Sequence, residues 1–415
     1  MSNRVKRKVT VVSCVFPPEL VVSGITTREV VKGLATNGHS VKVVTSFPSR
    51  PGGRIFSGYR RRLYSHCAEA SDFDLVRCFS IPTSESSAVR RFVENITFGL
   101  SSAVYLLFSS RPDVIYSNSW PVFATGLMSL VAVLRRIPYV IIVQDIYPES
   151  YAVQGRASQK SLTFGVMRWI DGQVSRRSAH VIVISPSFAK VYTEDRQVPT
   201  ERVSVIPNWA DQDALPASEA ETASLRERFA IPQQAFLVAY GGNIGMAAGV
   251  ETLVKVFSQL DGEVYGLVAG EGSQLAACQK LAVDIQRLSF FTPWPANQTM
   301  PLYQAADVLV LPTLGNQSMA SVPSKLIRYM LSGRPVIAAG LPGSELASVI
   351  EASGCGWLVE PDEPAGLAEK IHQVKSLQPS ELEQRGEAGR RFALENLTSQ
   401  ACLPRVIEII ERAVQ

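Results

Sequence analysis

The chain has little of what marks a secreted, membrane-spanning or metal-built protein. Its six cysteines, at 14, 67, 78, 278, 355 and 402, include no CxxC and no paired spacing. They read as reduced thiols filling core positions, and neither a disulfide frame nor a zinc site is expected. No apolar run approaches the roughly 18 residues of a spanning helix. The longest candidate, residues 121–134, is stopped by Arg135-Arg136. The opening Met-Ser-Asn-Arg-Val-Lys-Arg-Lys lacks the apolar core of a signal peptide and runs straight into a strand. The dinucleotide fingerprint GxGxxG is missing too: in Gly270-Glu-Gly-Ser the third glycine's place is taken by Leu275, which argues against a redox cofactor. There is no short-period repeat. The basic clusters lack the interleaved aromatic platform of a nucleic-acid reader, so no nucleic-acid partner is expected.

What remains is a chain of 415 residues, 46% hydrophobic and 19% charged, long enough for two domains with a core each. The net charge of +4 hides a split. Residues 1–210 carry 26 Lys and Arg against 14 Asp and Glu, and the remainder carries 15 against 23. A basic first half suits an anionic surface or acceptor, with phospholipid the better fit.

The first half alternates strand and helix. A strand from Lys8 leads through Phe16-Pro-Pro-Glu to Gly24, then a helix over 25–37. A glycine between strand and helix lets a phosphate approach the backbone. Gly38-His39 reads as a turn into the second strand, and residues 47–64 as one long basic loop containing Arg54. The helix over 89–108 has Arg90-Arg91 at its head and an apolar, aromatic remainder. Core packing explains that remainder more simply than docking on an anionic membrane. Pro138-Tyr-Val-Ile-Ile-Val-Gln-Asp145 is a buried strand ending in a carboxylate. Asp145 and Glu149 are therefore the first-half acids best placed for chemistry, at the edge where open α/β sheets bind ligands. Asp211-Gln-Asp213 has the DxD form of a metal site, but its surroundings read as a solvated linker.

The second half starts the series afresh. Ala235-Phe-Leu-Val-Ala-Tyr-Gly-Gly-Asn-Ile-Gly245 is a strand opening into a glycine loop, where Gly242 and Gly245 free the backbone to present N–H groups. Thr292-Pro-Trp294-Pro is a rigid turn suited to a nucleobase edge. In Val322-Pro-Ser-Lys325, Pro323 suits a first helical turn and Ser324 a free N–H. Leu326, Tyr329 and Met330 form an inward face, and Gly333 ends the helix. That helix start, with Lys325, is a place for a diphosphate. Glu345 follows the next strand, Pro335-Val-Ile-Ala-Ala. Two successive α/β units imply a cleft between them.

In order and spacing, these motifs together resemble glycosyltransferase family 4. The carriers are Phe16-Pro-Pro-Glu, Gly38-His, Phe47-Pro-Ser-Arg-Pro-Gly-Gly, Val143-Gln-Asp-Ile-Tyr-Pro-Glu-Ser, Ile206-Pro-Asn, Gly242-Asn-Ile-Gly, Gly270-Glu-Gly, Ala306-Asp-Val-Leu-Val-Leu-Pro, Val322-Pro-Ser-Lys and Ser332-Gly-Arg-Pro-Val-Ile. The match is nearest to the bacterial surface-polysaccharide branch that includes L-fucosamine transferases. The resemblance implies an α/β GT-B fold of two Rossmann-like domains facing across a cleft, with C-terminal helices returning to the first. The domains would be 1–207 and 221–395, joined by a linker over 208–220, with a final helix over 396–415.

It also implies a retaining transferase without cofactor or bound metal. An N-acetylated sugar would pass from a UDP-sugar to a lipid-diphosphate-linked or oligosaccharide acceptor of O-antigen, capsule or exopolysaccharide. The enzyme would be cytoplasmic and peripheral on the anionic inner face of the bacterial inner membrane. Asp145 would serve the acceptor hydroxyl and Lys325 the leaving diphosphate. Gly24, Gly242, Asn243, Gly245 and Glu271 would surround the donor with Trp294, Ser324, Leu326 and Glu345. Tyr147, Glu149 and Arg54 would hold the acceptor. Much of the family carries two glutamates seven residues apart, whose places here hold Ala320 and Arg328; either another group holds the ribose or the donor is bound weakly. A UDP-HexNAc epimerase of the same fold and a non-catalytic scaffold remain as alternatives.

Overall fold

The computed structural model of the chain describes residues 5–19, 21–50, 52–67, 72–83, 88–150, 161–210, 216–315 and 323–414. It contains two compact units, Met1–Pro207 with Cys402–Gln415, and Asn208–Ala401.

The first unit is built on eight strands: β1 (Lys8–Val12), β2 (Ser40–Ser46), β3 (Tyr64–Cys67), β4 (Asp74–Cys78), β5 (Val114–Asn118), β6 (Tyr139–Val143), β7 (His180–Val183) and β8 (Val203–Val205). They form one sheet in the order β3-β4-β2-β1-β5-β6-β7-β8. All pairings are parallel except β3 with β4. The edge strand β3 begins at Tyr64, where the expected loop ends, and no strand was expected there. Four residues after an arginine run offer too short an alternation to read, and their partner is supplied only by the folded sheet. Strands β5 and β6 are buried along their whole length, as expected when helices cover both faces of a parallel sheet.

Those helices are α1 (Val22–Thr36), α2 (Ala88–Phe108), α3 (Val122–Leu134), α4 (Leu162–Arg177) and α5 (Pro186–Lys190). Helix α1 starts three residues before its expected beginning at 25. The hydroxyls of Thr26 and Thr27 donate to the carbonyls of Val22 and Ser23 at 3.1 and 2.6 Å, closing a first turn that includes Gly24.

The second unit has six parallel strands, β9 (Phe236–Gly241), β10 (Val264–Ala269), β11 (Leu288–Phe291), β12 (Val308–Leu311), β13 (Val336–Ala339) and β14 (Gly356–Val359), in the order β11-β10-β9-β12-β13-β14. Its helices are α6 (Glu219–Arg228), α7 (Val250–Phe257), α8 (Leu275–Leu281), α9 (Thr299–Ala305), α10 (Ser324–Leu331), α11 (Glu345–Ser353), α12 (Pro364–Lys375) and α13 (Pro379–Asn396). Residues 208–210 already belong to this unit, where Ala210 bridges Thr398. Asp211 and Asp213 lie outside the described residues, as do Ala320 and Val322.

The last helix, α14 (Ser399–Arg412), rejoins the first unit from Cys402 onward, whereas α13 stays with the second. Leu403 and Ile407 of α14 rest on Gly33 of α1 so closely that a β-carbon there would meet each at 2.9 Å. His39 accepts from the N–H of Arg7 at 3.2 Å, and its Nε2 meets Glu411 of α14 at 2.9 Å. It is a buried anchor for the returning helix.

The first unit also buries charge. Arg196 donates from Nε to Asp171 at 2.7 Å and from one Nη to both oxygens of Glu149 at 2.8 Å. Tyr192 donates to the same aspartate at 3.0 Å. Loss of water pushes the Asp171 carboxyl up to about 6 even with the guanidinium beside it. Removing one partner leaves the other buried and uncompensated. Arg196→Met is accordingly expected to destabilise the chain by about 3–5 kcal/mol, read as a lowered urea midpoint.

Candidate active site

In a doubly wound sheet, ligands bind at the carboxyl edge where the strand order reverses. In the first unit that point lies between β1 and β5. A recess of about 210 Å³ opens there, lined by Val15 after β1, Val21 and Ser23 at the start of α1, Asn118 to Trp120 after β5, and Gln144, Asp145 and Tyr147 after β6. Arg50 and Arg91 complete it. No side chain caps the first turn of α1, so its dipole favours an anion on that side. The polar groups behind the recess hold one another. Asn118 donates to Ser13 at 2.9 Å, and Gln144 to Thr26 at 3.0 Å.

Asp145 is open to the recess, and the walls that shield it from bulk water raise its carboxyl above the usual range, with a hydrogen bond from Tyr147 opposing. Arg50 lies over the Trp120 ring at 4.6 Å and approaches Glu94 at 3.4 Å. Burial raises the Glu94 carboxyl, and Arg50 works against that rise. The loop that carries Arg50 is fastened by the buried Glu19 carboxylate, which accepts from the N–H groups of Ser49 and Arg50 at 2.8 and 2.9 Å. The acid of Phe16-Pro-Pro-Glu is thus a positioning group.

Three first-unit residues stand elsewhere than the sequence suggested. Gly24 is buried in the first turn of α1, where a β-carbon would make only ordinary contacts at 3.6 Å; Ser23 reaches the recess instead. Arg54 is exposed and does not line it. Glu149 is engaged by Arg196 and is also outside the lining. Arg50 and Arg91 were missed because the sequence offers many arginines in this region and no pattern to choose among them.

In the second unit the reversal lies between β9 and β12, and the glycine loop after β9 stands beside it. Gly242 has φ +149°, and a β-carbon there would come within 2.3 Å of Cε of Lys325. The lysine therefore fills the side-chain space that Gly242 leaves empty. Its ammonium donates to the carbonyl of Asn243 at 3.1 Å and to the Tyr240 hydroxyl, and sits 4.6 Å from the Tyr240 ring centroid. Burial lowers its pKa to about 8. Lys325 is the second residue of α10, whose N-cap residue makes no side-chain hydrogen bond to the first turn. Pro323 is the cap position, one residue ahead of the helix, and the exposed Ser324 begins it.

The loop is supported on every side. Gly241 exchanges hydrogen bonds with the Tyr329 hydroxyl at 3.0 and 3.2 Å. The carbonyl of the exposed Glu271 accepts from Ile244 at 2.8 Å. Gly245 follows, with the Asn243 side chain beside it. Trp294 packs near Tyr303, ring centroids 6.0 Å apart, and its buried Nε1 has no hydrogen-bond partner among the described residues. Glu345 opens α11 at the carboxyl edge after β13. Leu326 is fully buried, and its N–H donates to the Pro323 carbonyl at 2.9 Å. Among the described residues no group of three or more His, Cys, Asp or Glu is placed to hold a metal ion.

Two family models match the chain in succession, Glycosyl transferase 4-like domain over residues 23–209 and Glycosyl transferases group 1 over residues 235–376. Together with two doubly wound units, they define a glycosyltransferase. The chain belongs to family 4 of these enzymes and has the GT-B fold. It is 26% identical over 405 residues to WcaI of Escherichia coli strain K12, named as a colanic acid biosynthesis glycosyl transferase, covering 95% of this chain and 98% of that one. Its fold is similar to that of sucrose-phosphate synthase from Thermosynechococcus elongatus, at TM-score 0.72 and 18% identity over 98% of this chain and 99% of that one. Anabaena HepE, solved in complex with UDP, gives a TM-score of 0.69 at 14% identity over 98% of this chain and all of that one.

Gly242→Ala tests the lysine's seat. The strained backbone is expected to cost about 1–3 kcal/mol, read by chemical denaturation, and the displaced Lys325 ammonium should titrate nearer to its ordinary value.

Proposed function

We propose that the enzyme transfers an N-acetylated sugar from a UDP-sugar to a lipid-diphosphate-linked acceptor, with retention of configuration. The observation that carries this reading is Lys325. It is a cation held short of water beside a glycine loop and an uncapped helix start, which is the environment a departing diphosphate needs. The solved complex of HepE with UDP supports a uridine nucleotide. The name of WcaI supports a place in bacterial surface-polysaccharide synthesis. The N-acetylated class rests on the resemblance to amino-sugar transferases.

On this reading the second unit holds the donor, with Gly242, Asn243, Gly245, Glu271, Trp294 and Glu345 around it and Ser324 at the head of α10. The first unit holds the acceptor in its recess. Asp145, with its raised carboxyl, takes the proton of the acceptor hydroxyl or supports the cationic sugar centre. Arg50 and Arg91 take the place given to Arg54, facing the acceptor's phosphates. The basic first half supports residence on an anionic membrane at the inner face of the cell envelope.

The charge on Lys325 sets the alkaline limit. In the free enzyme it is lost as pH rises through about 8, so kcat/KM for UDP-sugar should fall above that pH. Lys325→Arg should remove this limb at reduced activity, and Lys325→Ala should lower kcat by about 10²–10³. Asp145→Ala should abolish transfer while UDP still raises the melting temperature. Conversion of UDP-HexNAc without acceptor would instead identify an epimerase, and a chain that neither binds nor turns over any UDP-sugar would overturn the reading.

A further inference from the structure

Helices α2 and α3 of the first unit are apolar on two sides. Inward, Phe98 of α2 and Met128 of α3 belong to the buried core. Outward, Phe92, Ile96 and Leu100 recur at every fourth position of α2, forming a stripe on one face. Phe123, Leu127 and Leu130, spaced four and three apart, share one face of α3. With Trp169 and Ile170 of α4, much of this outer surface encloses a groove of about 510 Å³. It is strongly exposed: Leu100 is 51% accessible, Leu130 56% and Trp169 64%. A contiguous apolar face of this kind marks a binding surface.

The groove adjoins the catalytic recess through the same two helices. Arg91 lines the recess and the next residue, Phe92, meets Phe123 edge to face at 5.0 Å. Trp120 lines the recess, and Phe123, three residues on, lines the groove. From Arg91 to Leu100 the rise of α2 is about 14 Å. A cationic recess holding Asp145 thus stands at one end of an apolar trough, within a few residues along two helices. The pairing complements one kind of molecule, an amphiphile with a phosphorylated head and a long apolar chain. A flat bilayer surface has no need of a trough between three helices, nor of its alignment with the recess.

We infer that the groove between α2, α3 and α4 binds the lipid chain of the acceptor, with the acceptor's phosphates at Arg50 and Arg91. The inference rests on the proposed acceptor and deepens it. The chain fixes the register of the head, and so which hydroxyl reaches Asp145. An acceptor lacking the chain loses affinity, which appears in KM and leaves kcat nearly unchanged.

The test uses farnesyl phosphate as a soluble probe, titrated without vesicles or detergent, with Trp169 emission as the reporter and Trp169→Phe as the control. The expected result is a saturable change that disappears in Trp169→Phe and that inorganic phosphate alone does not produce. Leu130→Glu and Leu100→Glu, both at exposed positions, should each weaken binding at least tenfold with unaltered melting temperature, as should Arg91→Ala. Having two groove variants guards against one that fails to fold. No saturable change, or equal affinity in both groove variants, overturns the inference. So does a response to anionic vesicles combined with none to farnesyl phosphate, which would assign the face to bilayer docking. Because binding is read without turnover, transfer to a short-chain acceptor alongside absent probe binding sinks the groove and leaves the transferase. Probe binding without any transfer does the reverse.

Discussion

The Lys325 side chain lies in the space that a β-carbon on Gly242 would fill, and the loops of the second unit are fitted around that contact. Gly270 presses on the Gly242 carbonyl so closely that its own β-carbon would come within 1.9 Å. Tyr329, Tyr303 and Tyr240 hold the loop from below through their hydroxyls. The lysine reaches its place at a thermodynamic cost. Its folded pKa is about 8 against 10.5 for the free side chain, so the unfolded state binds the proton more tightly. Between those values stability rises with pH, and below about 8 the full penalty of a desolvated ammonium is present. On the proposed reading an anion at the helix start would supply the missing counter-charge, so the residue that strains the free protein is the one a diphosphate would relieve.

The first unit handles its buried charges differently. Arg196, Asp171 and Glu149 neutralise one another away from the recess, and Glu19 is spent on two backbone N–H groups. These acids are committed to architecture. Among the described residues Asp145 has no such partner; it has a tyrosine hydrogen bond and an open recess. The contrast separates two carboxylates four residues apart, Asp145 and Glu149, which sequence position alone places equally near the sheet edge.

Much of the fold was legible because parallel strands buried on both faces read as unbroken apolar runs, as in Tyr139–Val143 and Val336–Ala339. The face Leu326, Tyr329 and Met330 and the stop at Gly333, with φ +73°, are local and were readable for the same reason. Helix α1 began early because the hydroxyls of Thr26 and Thr27 closed its first turn onto the carbonyls of Val22 and Ser23, and β3 was hidden because a four-residue edge strand exists only through its partner. The second-unit site was legible in its glycines. The arginines of the first unit were not, since what selects Arg50 over Arg54 is Glu19, thirty-one residues away in the chain.

The same limit applies to α2 and α3. Periodicity identifies an apolar helix face, but a helix with two such faces yields a weak pattern, and the inner face by itself satisfies the expectation of a core. Core packing was the simpler reading of residues 89–108, and it accounts for Phe98 and Leu106. It leaves Leu100, Val104 and Phe108 unexplained, because the sheet has only one side for α2 to cover and these residues point away from it into solvent. A side chain that the core does not need and water does not favour requires a further apolar partner. Leu100 finds that setting in the groove, whose helices also carry Arg91 near the recess, while Val104 and Phe108 lie further along α2 beside Tyr64 and Tyr105; on the proposed reading the groove side chains serve the acceptor's lipid chain.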